Sequence, residues 1–76
     1  MKGNIQDIVE FVVNEVRSNT TEFQYIVTFD EIEDKFGKLN DKEKELLDLK
    51  LSKDERVADV VIDGNEIDVV LFTDFV

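Results

Sequence analysis

The sequence predicts one small α+β domain, with helices first and a β-hairpin last. Three observations predict it. Apolar residues recur at helical spacing near the N-terminus and alternate in the last third of the chain. Two capping-box patterns, Thr28 with Glu31 and Asn40 with Glu43, mark helix starts in the middle. Gly64-Asn65 separates two alternating runs, "VADVVID" and "EIDVVLF", as a hairpin turn would.

The first helix, α1, is expected over residues 4–19, "NIQDIVEFVVNEVRSN". Ile5, Ile8, Val9, Val12 and Val16 follow the spacing of one buried stripe, and Phe11 and Val13 widen it toward a second neighbour. Asn4 is the expected N-cap, with Asp7 near the positive end of the helix dipole. Its many β-branched residues weaken intrinsic helix preference, so burial must supply most of the stability. "FQYIVTF", 23–29, reads as strand β1, with Phe23, Tyr25 and Val27 on one side and Gln24, Ile26 and Thr28 on the other. Helix α2 follows Thr28 and ends at Gly37, with Phe29, Ile32 and Phe36 inward. Helix α3 follows Asn40, with Leu46, Leu47 and Leu49 as its inner face and an end near Lys50.

The hairpin, strands β2 and β3 within 57–72, can be registered. A two-residue Gly64-Asn65 loop sets Asp63 opposite Glu66, Ile62 opposite Ile67, Val60 opposite Val69 and Ala58 opposite Leu71. One face is then wholly apolar. The other carries Asp59, Val61, Asp63, Glu66, Asp68, Val70 and Phe72. The element order is α1-β1-α2-α3-β2-β3, a single domain over 1–76 with a small antiparallel sheet.

Composition narrows the function. With no cysteine, disulfides and zinc–thiolate sites are excluded. With no histidine, the commonest general base and transition-metal ligand are missing. Adjacent acids such as Asp30-Glu31 and Glu33-Asp34 sit on an expected surface helix, with no cleft expected to set them up for acid–base chemistry. "DVVIDGNEIDVVLFTD" does not match a calcium loop, and alternate acids on a strand lie in a row and do not converge. The expectation is a chain with no enzyme activity, cofactor or metal. No signal-peptide pattern or membrane-spanning apolar run is visible, so the expected location is cytoplasmic.

The net charge is −10, which disfavours non-specific attraction to nucleic acid or anionic lipid. It is unevenly spread. Residues 35–56 carry seven of the nine basic residues and balance their own acids, while the remainder is strongly acidic.

The stretches "VTFDEIEDKFG" and "LLDLKLSKDERVADVVIDGNEIDVVLF" carry a resemblance. A strand running into a capped second helix, an "LSKDERV" approach and a terminal hairpin resemble the small winged-helix domains of bacterial RNA polymerase delta subunits. This sequence departs from them in lacking the tryptophan often seen in such wings and in its short α3. The resemblance implies a winged-helix-like fold, a transcription-associated or protein-binding role, and no catalysis.

Two surfaces are candidates for function. The outer hairpin face, with Asp74 beyond it, mixes carboxylates with apolar Val61, Val70 and Phe72. Apolar residues there supply burial, and carboxylates steer a basic partner. A protein partner with a basic surface is therefore expected; the alternative is a DNA-mimic inhibitor of phage type, whose carboxylates would occupy the phosphate-binding sites of a nucleic-acid enzyme. Solvated charge that blocks edge aggregation is the plain alternative. Other coverings of the face are α1, the C-terminal "TDFV", or a second copy in a homodimer. The second surface is around α3, where Lys42, Lys44, Lys50, Lys53 and Arg56 would touch phosphates in a DNA-binding repressor. The expected outward arc of that helix, Asp41, Lys44, Glu45 and Asp48, argues against direct nucleic-acid binding.

Overall fold

Helix α1 runs over Ile5–Asn19 in the computed structural model, which describes residues 3–19 and 24–72. Its start is capped reciprocally. The Asp7 N–H donates to Asn4 Oδ1 at 3.0 Å, and the Asn4 N–H donates to Asp7 Oδ2 at 3.1 Å. Ile5, Ile8, Val9, Val12, Val13 and Val16 are all buried. The wide stripe is needed because α1 packs against α3 (Asp41–Lys53) and against two strands.

Strand β1 spans Gln24–Thr28 and passes directly into α2, Phe29–Phe36. Thr28 ends the strand and caps the helix, accepting from the Glu31 N–H at 3.2 Å. Gly37 ends α2 at φ 86°, in the left-handed region that favours glycine, and its N–H returns to the Glu33 carbonyl. Phe29, Ile32 and Phe36 point inward as expected.

Helix α3 opens with a full capping box between Asn40 and Glu43. Its inner face is a correction. Leu47 and Leu51 are buried, four residues apart, while Leu46 and Leu49 are 40% and 49% exposed. The inward stripe is therefore turned relative to the expected Leu46, Leu47, Leu49 face. Lys50 then points to solvent, and the helix continues to Lys53 instead of ending near Lys50.

The described residues form one antiparallel sheet in the order β1-β3-β2, with β2 at Val57–Asp63 and β3 at Glu66–Leu71. The hairpin register holds from Asp63↔Glu66 through Val60↔Val69. Beyond that a bulge between Val57 and Asp59 inserts one residue, so Val57 and not Ala58 faces Leu71. The physical reason is burial: the bulge turns the larger Val57 into the core and leaves Ala58 in solvent.

All three helices lie on one side of the sheet. Val27, Val57, Ile67, Val69 and Leu71 meet them, with Tyr25, Val60 and Ile62 packed at the margin. Among the described residues the core holds no polar or charged side chain. The opposite side of the sheet is uncovered by any described element.

Candidate functional site

The uncovered face follows from strand pairing. β3 is central, and three rows cross it: Gln24–Val70–Asp59, Ile26–Asp68–Val61, and Thr28–Glu66–Asp63. Each row takes its side chains to the same side because parity is shared across an antiparallel ladder. Asp59, Val61, Asp63, Glu66, Asp68 and Val70 thus come together on one surface. Phe72 follows β3 with the same parity and is 50% exposed. Asp74 lies outside the described residues, as does Phe23.

Two features of this surface were not foreseen. The first is Ile26, 44% exposed, which sits beside Asp68 and mirrors Val61 at 54%. Its parity in β1 was legible, but its place next to β3 depends on long-range pairing. The second is Gln24, whose Nε2 donates to both Asp68 oxygens at 2.8 and 2.9 Å. That fork ties the edge strand to the central one and fixes the middle carboxylate.

The result is a patch in which Val61 is bordered by Asp59, Asp63 and Asp68. No strand position on this face is basic among the described residues. Nor do any three of its carboxylates converge into a group suited to a metal ion. Chemically the arrangement offers acceptors and contact area for a basic, partly apolar surface.

The cationic residues around α3 have different fates. Arg56 donates from all three guanidinium nitrogens: Nε to Asp54 Oδ1 at 2.9 Å, Nη1 to Glu10 Oε1 at 3.0 Å, and Nη2 to both carboxylates. Those hydrogen bonds hold the Asp54 and Glu10 carboxyls below their ordinary range and the guanidinium above its own. Arg56 is thus engaged within the fold and is not presented to a phosphate. The Lys44 ammonium sits 4.8 Å from the Phe29 ring centroid, half-buried and not on the outward arc expected for it. Lys42, Lys50 and Lys53 are exposed.

The hairpin tip is also held. The Phe29 N–H donates to the Asn65 carbonyl at 2.8 Å, and the Asp30 N–H donates to Asn65 Oδ1 at 3.2 Å. The turn therefore lies against the start of α2 and does not project. It supplies acceptors for two N–H groups that a helix start leaves open.

No protein family, curated protein or solved structure matches this chain. Among the described residues no helix is long and apolar enough to cross a membrane.

Proposed function

We propose that this chain is a small, non-catalytic, winged-helix-like domain that binds a protein of the transcription or nucleic-acid machinery through its open sheet face. The element order and the terminal hairpin support the winged-helix part of the reading. The binding part rests on one observation: exposed Ile26, Val61 and Phe72 share a surface with Asp59, Asp63, Glu66 and Asp68. A face that served only to stay solvated gains nothing from three exposed apolar side chains. A docking face needs both kinds, with burial for affinity and carboxylates for partner choice and rate of encounter. Direct DNA binding has little support, since Arg56 and Lys44 are engaged within the fold and the net charge is −10.

The test is capture on the immobilised chain from a lysate, compared with the variant Asp63→Lys/Glu66→Lys/Asp68→Lys. Loss of a specific protein with the variant supports the reading. An unchanged set of captured proteins removes the sheet face as an interface. Duplex DNA that displaces the captured protein would place the carboxylates on that protein's nucleic-acid site, which is the mimicry form of the same reading.

A further inference from the structure

The rotation of α3 exposes a second surface. Because Leu47 and Leu51 face the core, the solvent side of α3 presents Lys42, Leu46, Leu49, Lys50 and Lys53. Counted from Lys42 these lie at i+4, i+7, i+8 and i+11, which is one stripe of a helix. It contains three lysines, two exposed leucines and no acid. Of the four acids of the helix, Asp41, Glu45 and Asp48 fall on the neighbouring arc, and Glu43, which accepts from the Asn40 N–H in the capping box, lies on the opposite border of the stripe. The stripe borders an open groove of about 350 Å³ between α1 and α3, lined by Gln6, Leu46, Leu49, Lys50, Lys53 and Asp54.

This stripe is the chemical counterpart of the open sheet face. One surface sets lysines around two leucines; the other sets carboxylates around Ile26 and Val61. The two cannot meet within one molecule. α3 packs on the covered side of the sheet, and its stripe is turned away from the core.

We propose that the chain associates head to tail, the α3 stripe of one copy docking on the acidic sheet face of the next. This rests on reading the sheet face as a docking surface for a basic partner, and it names a second copy as one such partner. Charge complementarity carries the pairing. Like charge elsewhere opposes it, but at physiological ionic strength charges beyond about 8 Å are largely screened, so the facing residues dominate. Each surface is a handful of side chains, whereas a stable complex joins roughly 20–30 residues a side. The contact is therefore weak and reversible. It joins different surfaces, so it adds copies successively and does not stop at a symmetric pair.

Sedimentation of the full chain at physiological ionic strength, from micromolar to millimolar concentration, tests this. Apparent mass should rise with concentration and pass twice the monomer value without a plateau there. Lys50→Glu/Lys53→Glu and Asp59→Lys/Asp63→Lys should each stay monomeric alone, with unchanged far-ultraviolet circular dichroism. Mixed together they should associate again, since each variant's altered surface complements the other's. A wild-type chain that stays monomeric at millimolar concentration overturns the inference. So does a mixture that fails to associate. Neither result touches capture of a different basic protein by the sheet face, so the two readings fail separately.

Discussion

Arg56 joins three parts of the fold through one side chain and one carbonyl. Its guanidinium links Glu10 of α1 to Asp54 at the end of α3, and its carbonyl accepts the Phe72 N–H at 3.0 Å. Asp54 and Arg56 are largely shielded from water, whereas Glu10 is nearly half exposed, so most of the worth lies in the Asp54 side. Arg56→Lys, which keeps charge but loses the fork, should lower unfolding free energy by about 1–2 kcal/mol in urea denaturation. The pH dependence follows from the lowered carboxyls. A carboxyl depressed in the folded state contributes fully above its unfolded pKa and loses that contribution as pH falls through the folded value. The ordinary values are 4.5 for Glu10 and 3.8 for Asp54, so the wild-type advantage over Asp54→Asn should be constant near neutrality. It should shrink on acidification below about pH 4. A difference that grows with acid would contradict the pairing. The Glu10 link was not legible in the sequence, because Glu10 and Arg56 are far apart in the chain and only the tertiary fold brings them together; the Asp54–Arg56 contact is local but was not read.

Elements with a repeating signal were read correctly, and those that needed tertiary information were not. The three helix starts were legible because Asn4, Thr28 and Asn40 each face a carboxylate three residues on, and that geometry is local. The hairpin register was legible near its turn and failed past the bulge, where alternation in "VADVV" cannot say which of two neighbours is extra. Helix α3 failed differently. "LLDLKL" contains two overlapping apolar stripes, and only contact with α1 and β2 decides between them. That decision has a direct check. Leu47→Ala and Leu51→Ala should each cost about 2–5 kcal/mol, as buried leucines do. Leu46→Ala and Leu49→Ala should change stability by no more than about 0.5 kcal/mol. Equal costs across the four would mean the helix faces the other way. The candidate sheet face was legible as a hairpin surface and β1 as a strand, but the pairing of β1 with β3 was not, so Ile26 and Gln24 were missed. The pinned tip makes a further element-scale prediction. Asn65→Ala removes the side-chain acceptor for the Asp30 N–H and should cost about 1 kcal/mol, read as a lower urea midpoint at unchanged slope.

At the scale of the whole molecule, the distribution of charge sets stability against binding. The chain carries −10, and four carboxylates sit on a sheet face with no basic residue at any described strand position there. Asp63 and Glu66 are directly opposite across the hairpin, a like-charge pair that destabilises an antiparallel ladder. A sequence shaped for stability alone would set a lysine at one of the two positions. Glu66→Lys converts the repulsive pair into an attractive one and reduces the net charge of the chain. It should therefore raise unfolding free energy by a few tenths to about 1 kcal/mol, with a higher thermal midpoint. Raising salt should stabilise the wild type more than the variant, because screening relieves repulsion that the variant has already lost. If the face docks a basic surface, the same substitution should weaken capture of the protein partner while the domain becomes harder to unfold. The two readouts then move in opposite directions, which unfolding cannot produce. A variant that gains stability and still captures its partner as well as the wild type would show that Glu66 adds repulsion to the fold and nothing to the contact.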